Sequence, residues 1–165
     1  MERRFLKKKE ARKLHSEFSK KVSGADGLAA YLESPVEIAV VDDAEIFFVS
    51  GEPILARTRD LLFPTLTSSK LLSCMPKATV NMGAVPYVCN GADVMAPGIV
   101  GFEGDFKKDD FVVVSDERHQ KPLAVGVALY DSAEAGKLER GKVLRNVHYI
   151  GDRLWNLMKQ VGQKK

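Results

Sequence analysis

Asn81-Met82-Gly83-Ala84-Val85-Pro86-Tyr87-Val88-Cys89-Asn90-Gly91-Ala92-Asp93-Val94-Met95-Ala96-Pro97-Gly98-Ile99-Val100 is the stretch whose reading decides the fold. Two Gly-Ala pairs, Gly83-Ala84 and Gly91-Ala92, bracket enough chain for one helical turn near Pro86–Cys89. Pro97-Gly98 then makes a sharp bend after a short strand at Val94–Met95. Glycines at such joints permit positive φ and let another backbone come close where a Cβ would block it. That backbone could be a ribose-phosphate chain. An isolated glycine pair more often only closes a tight barrel corner.

Downstream, short strands at Thr79–Met82, Phe111–Ser115, Leu123–Leu129 and Val143–Ile150 join Val94–Met95 across Gly-rich connections, the texture of a small barrel. A helix is expected over Ala133–Glu139 behind the cap candidate Ser132. An amphipathic one is expected over Asp152–Val161, with Leu154, Trp155, Leu157, Met158 and Val161 on its apolar side. Upstream of a boundary at Pro76-Lys77 the texture differs. Val36–Val41, Glu45–Ser50 and Pro53–Arg57 are β-branched and aromatic runs parted by Asp42-Asp43 and Gly51-Glu52, an antiparallel meander. A short helix around Leu28–Glu33 should precede it, and a helix over Pro64–Cys74 should follow, with Pro64 in its first turn and Pro76 closing it. The first segment reads as a helix because Ala11, Leu14, Phe18 and Val22 form one stripe; Glu17 and Lys21 stand at i,i+4, and Gly24-Ala25-Asp26-Gly27 ends it. The expected fold is α+β: a small α/β domain over residues 1–76, then a β-barrel over 77–165.

At 165 residues the chain has no room for a large multi-domain enzyme, and 45% apolar with 28% charged residues marks an ordinary globular protein. The net charge of +3 hides an uneven distribution. Residues 1–21 carry nine basic groups against three acidic, residues 22–76 three against eight, and the end from Lys137 eight against two. Basic ends around an acidic middle point to nucleic acid better than the net value does. Only Cys74 and Cys89 are present, which fits a reducing compartment, and no long apolar run suggests a membrane span, so a cytoplasmic location is expected.

The spacing Gly-Ala, short helix, Gly-Ala, apolar pair, Pro-Gly-Ile resembles the signature of the PUA domain, a small RNA-binding module. Gly83, Ala84, Gly91, Ala92, Val94, Met95, Pro97, Gly98 and Ile99 match it in order. An acidic residue often stands two positions before the first Gly-Ala; this chain has Asn81. Further out, Phe47–Leu55, Phe63-Pro64-Thr65-Leu66 and Asn146–Trp155 resemble the malignant T-cell amplified sequence and translation machinery-associated family, and Arg3–Glu10 resembles its archaeal members. The resemblance implies a pre-PUA domain ahead of the PUA barrel, and a role on the small ribosomal subunit in initiation or recycling.

No residue pattern indicates an enzyme. His15, His119 and His148 lack metal-ligand spacing, no phosphate-binding loop or dinucleotide fingerprint occurs, and Asp42-Asp43 and Asp109-Asp110 sit where turns are expected. Neither cysteine has an activating base beside it in sequence. No cofactor, metal, membrane or DNA partner is expected. The RNA-binding candidates are Gly83, Ala84, Gly91, Ala92, Met95, Pro97 and Gly98 for backbone approach. Lys142, Arg145, Arg3, Arg4, Lys7 and Lys8 would neutralise phosphates, and His148 would stack on a base if it faces outward. The target would be structured rRNA or tRNA. The alternatives are an accessory subunit acting in trans for an RNA-modification enzyme, and an adaptor whose acidic, apolar N-terminal sheet binds a protein.

Overall fold

A computed structural model describes residues 2–22 and 33–163, with the side chains described up to residue 161. In chain order the elements are β1 (Glu2–Phe5), α1 (Lys8–Ser19), β2 (Val36–Val41), β3 (Ala44–Val49), β4 (Glu52–Thr58), β5 (Leu61–Pro64), α2 (Ser69–Ser73), β6 (Lys77–Val80), α3 (Val85–Val88) and β7 (Val94–Met95). There follow a 3-10 turn (Ala96–Gly98), β8 (Ile99–Glu103), β9 (Phe111–Asp116), β10 (Pro122–Ala128), α4 (Ser132–Ala135), β11 (Lys142–Tyr149) and α5 (Arg153–Gln163). Five strands form a sheet in the order β1-β2-β3-β4-β5, and six form a second in the order β7-β11-β10-β9-β6-β8. The fold is α+β.

The meander forms as its alternation of apolar runs and turn residues requires. Val49 pairs with Glu52 across Ser50 and Gly51, both at positive φ, the twist that suits a two-residue hairpin. The same geometry recurs where Thr58 pairs with Leu61 across Arg59 (φ 50°) and Asp60 (φ 66°), so Leu61–Pro64 is a strand. This corrects the helix expected over Pro64–Cys74, of which only Ser69–Ser73 is helical. Pro64 ends an edge strand opposite Leu55, where a missing N–H costs the ladder little.

A second correction concerns the N-terminus, where β1 precedes the helix and pairs antiparallel with β2. Arg3 holds it there, its guanidinium 4.4 Å over the Phe48 ring and 2.9 Å from Glu37. Helix α1 starts where the Glu10 side chain accepts the Lys7 N–H and pairs with Arg4, which with that N–H brings the Glu10 carboxyl down to about 2. Leu14, Phe18 and Val22 are buried as the stripe required. Glu17 does not pair with Lys21; Arg57 takes it at 2.6 Å and also meets Glu45 at 3.3 Å. The helix expected over 28–33 and the Gly24–Gly27 stop fall on 23–32, outside the described residues, apart from Glu33, which lies in a turn.

Strands β9 and β10 are buried on both faces, which is why they read as unbroken apolar runs. Val112, Val114, Ala124 and Ala128 point into one apolar cluster with Val80, Val94 and Leu144. Phe111, Val113, Val125 and Val127 join a second with Phe18, Phe47, Phe63, Leu154 and Met158. The two sheets therefore share a core. Phe18 stacks on Phe111 at 5.9 Å, and the Phe111 N–H donates to the Lys21 carbonyl at 3.0 Å.

Two further differences lie in the second sheet. β8 was not expected from sequence. Helix α4 is shorter than Ala133–Glu139, and Ser132 is not its cap. The Ser132 hydroxyl accepts from the Phe106 N–H, and the Asp131 carboxylate from the Lys108 N–H, so both tie down the loop after β8.

Candidate nucleic-acid interface

The glycines of the Asn81–Val100 stretch have internal work. Gly91 lies at φ 93°, and a Cβ there would stand 3.0 Å from the Tyr149 ring. A Cβ on Gly98 would stand 3.1 Å from that of Ala84. The Asn81 N–H donates to the Gly98 carbonyl at 2.8 Å, joining the loop after β6 to the 3-10 turn. Asn81 also answers for the absent acidic residue, since its side-chain oxygen accepts the Ala84 N–H at 2.9 Å. Behind α3, the Asn146 amide donates to the carbonyls of Val88 and Ala92, and Asp93 accepts the Asn146 N–H. The corner is thus fixed before any ligand arrives.

With only four residues, α3 buries Val88 and leaves Pro86 and Tyr87 outward. Tyr87 is 70% exposed, the largest apolar surface near the corner, beside Met95 at 44% and Val100 at 58%. Gly83, Ala92 and Pro97 are exposed, and Ala84, Gly91 and Gly98 are half-buried. Lys142 pairs with Met95 across β7 and β11, but its ammonium meets Asp93 at 3.1 Å. Burial pushes the Asp93 carboxyl up; the Asn146 N–H and Lys142 outweigh it and keep it below its ordinary value. Arg145 is exposed and makes no salt bridge among the described residues.

The structure brings Gly83, Ala84, Gly91, Ala92, Met95, Pro97, Gly98, Lys142 and Arg145 onto this one corner. It does not bring the N-terminal cations there. Arg3 is paired with Glu37, and Arg4 with Glu10. Lys7 and Lys8 are exposed at the start of α1, whose other end docks on β9; Lys8 stands about 15 Å along the axis from Phe18.

His148 is corrected outright. It is fully buried, its Nε2 accepts the Leu66 N–H at 3.2 Å, and its Nδ1 donates to Asp152 at 2.8 Å. An imidazole so enclosed cannot stack on a base, and the residue joins the two sheets. The Asp152 carboxyl feels burial upward, but His148 and the N–H groups of Trp155 and Tyr149 hold it below its ordinary value.

Among the groups considered for catalysis, Asp42 lies at φ 54° in the β2–β3 turn, and both Asp42 and Asp43 pair with Arg153. Asp109 has φ 75°, and Asp110 accepts the Lys107 N–H. Cys74 is exposed at the end of α2, and burial raises the Cys89 thiol. Among the described residues no cluster of three metal-ligating side chains occurs and no helix is long and apolar enough to cross a membrane.

Sequence reasoning missed two neighbours of the corner. Tyr87 sits inside the motif, but a one-turn helix has no periodicity to say which side faces out. The β9–β10 turn is tied to it by the Glu117 N–H to the Val80 carbonyl at 3.0 Å and by the Met82 N–H to the Glu117 carboxylate at 2.9 Å. Its basic run, Arg118-His119-Gln120-Lys121, was the available signal.

The PUA domain family matches residues 76–150, and a family described as a domain of unknown function (DUF1947) matches residues 2–68. An uncharacterized protein of Methanocaldococcus jannaschii is 41% identical over 93% of this chain and 95% of its own length. Human malignant T-cell-amplified sequence 2 is 33% identical over 76% of this chain and 72% of its own. A crystal structure of a PUA domain from Aeropyrum pernix K1 superposes with a TM-score of 0.84 at 32% identity, covering 98% of this chain and 92% of that one.

Proposed function

The chain belongs to the family of the malignant T-cell-amplified sequence and translation machinery-associated proteins, with a PUA domain behind a DUF1947 domain, and from that premise we propose that it is a non-enzymatic, cytoplasmic RNA-binding protein. Its target is structured RNA, ribosomal or transfer, and its place of action the small ribosomal subunit during initiation or recycling. The observation that carries the reading is the exposed Tyr87, presented by a corner that its own hydrogen bonds make rigid. A fixed aromatic face beside Met95 and the unpaired Arg145 suits an unstacked base and its phosphate. Gly83 and Pro97-Gly98 leave room for the sugar-phosphate chain.

Sucrose-gradient fractionation with crosslinking tests it. Co-migration with small subunits and a crosslink at Tyr87 or Met95 are expected. Migration at the top of the gradient in low salt would overturn the ribosomal reading.

A second reading, a protein adaptor, draws on the other end of the molecule. Phe5 is 64% and Val40 is 40% exposed on the edge pair β1–β2. An association that survives RNase would favour it.

A further inference from the structure

The β9–β10 turn is built to a stricter pattern than an ordinary surface hairpin. Asp116, only 5% exposed, accepts the His119 N–H, with those of Arg118 and Gln120 adding to its pull, and these bonds keep its carboxyl below its ordinary value. The Gln120 N–H closes the turn on the Asp116 carbonyl at 3.1 Å, with Gln120 itself at φ 55°. Glu117, the remaining acidic side chain, is turned away onto the Met82 N–H. What the tip offers outward is cationic: Arg118, His119 and Lys121 are all exposed, and neither Arg118 nor Lys121 makes a salt bridge among the described residues.

This tip stands beside α3. Glu117 bonds the loop that leads into the helix, and the Lys121 charge lies close enough to the helix's end to pull against the burial that raises Cys89. Arg145 lies on the other flank, next to the Asn146 that holds the carbonyls of Val88 and Ala92. Tyr87 therefore projects between two unpaired cationic rims on different strands. Lys142 and Arg4, by contrast, already have carboxylate partners.

We infer that an unpaired RNA segment crosses α3 with a base against Tyr87, its phosphates held on one side by Arg145 and on the other by Arg118 and Lys121 of the β9–β10 turn. The inference rests on the RNA-binding reading and adds to it the strand's path and its single-stranded state. The chemistry is that of a stacking platform flanked by cations, which needs an exposed base face that a duplex does not offer. Because the turn is already rigid, little ordering is lost when a phosphate is bound.

The test compares wild type with Arg118→Ala/Lys121→Ala on an unpaired 12-nucleotide RNA and on a duplex RNA of equal length, across a salt series. Each lost phosphate contact on a single strand lowers the slope of log K against log salt by about 0.7, so the double variant should lose about 1.4. Extrapolated from 1 M, that is about 25-fold in affinity at 0.1 M salt. Arg118→Lys/Lys121→Arg should restore the slope, which separates charge from any disturbance of the turn. Wild-type binding with an unchanged slope in the alanine variant overturns the part assigned to this turn and leaves the RNA-binding reading standing. Duplex bound as tightly as single strand overturns the path across Tyr87. No binding of either RNA by wild type at 50 mM salt overturns the RNA-binding reading itself.

Discussion

Gly91 shows how closely this corner is specified by single residues. A side chain there would meet two separate penalties, a left-handed backbone and the Tyr149 ring at 3.0 Å. The first alone costs about 1–2 kcal/mol, so Gly91→Ala should destabilise the fold by at least that much in urea unfolding. Tyr87 is the opposite case, since at 70% exposure it contributes little to packing. Tyr87→Ala should leave the urea midpoint unchanged and weaken binding of unpaired RNA by about 1–3 kcal/mol in a titration. The glycines of the motif were legible in the sequence because spacing identifies them. Tyr87 was not, because exposure depends on what lies behind a helix of four residues, and that is Asn146, 59 positions further on. His148 misled for the same reason: its partners, Leu66 and Asp152, come from either side of the junction, and no local pattern encodes that it lies between them.

Among the elements, those with strong period or composition could be read directly: the α1 stripe, β2, β7 and the apolar runs of β9 and β10. The ones missed depend on distant partners. β1 is charged and four residues long, and it is a strand because β2 offers an edge and Phe48 a face for Arg3. β5 follows a turn of Arg59 and Asp60 that has no glycine or asparagine to announce it. Helix α1 carries its own prediction. Lys7, Lys8 and Lys9 are exposed at its start, so replacing all three with alanine should leave the helix intact by circular dichroism. If they contact phosphates, binding weakens across many RNAs and the salt slope flattens by up to about 2. An unchanged slope removes this helix from the RNA contact.

On the scale of the whole molecule, the two sheets are joined by apolar packing at Phe18 and Phe111, by the Leu66–His148–Asp152 chain and by Arg153 on Asp42 and Asp43. Heat or urea should therefore unfold the molecule in one transition, with tryptophan fluorescence and far-ultraviolet dichroism coinciding. Phe111→Ala should cost about 3–5 kcal/mol and lower that single midpoint rather than split it. Acid should act on the same junction. The folded-state pKa of Asp152 is depressed, so its contribution is complete above the ordinary carboxylate value near 4 and is lost as pH falls through the lower folded value. Asp152→Asn should remove roughly 1.5–3 kcal/mol at neutral pH and flatten the acid limb of a stability–pH profile. Shared packing also limits how the molecule can be divided. A segment cut at Pro76 would keep the barrel's inner cluster but expose Phe111, Val113, Val125 and Val127 along two adjacent strands, a greasy stripe that invites self-association. The second half is not a portable cassette, and grafting it onto another protein would require repainting that stripe with polar side chains.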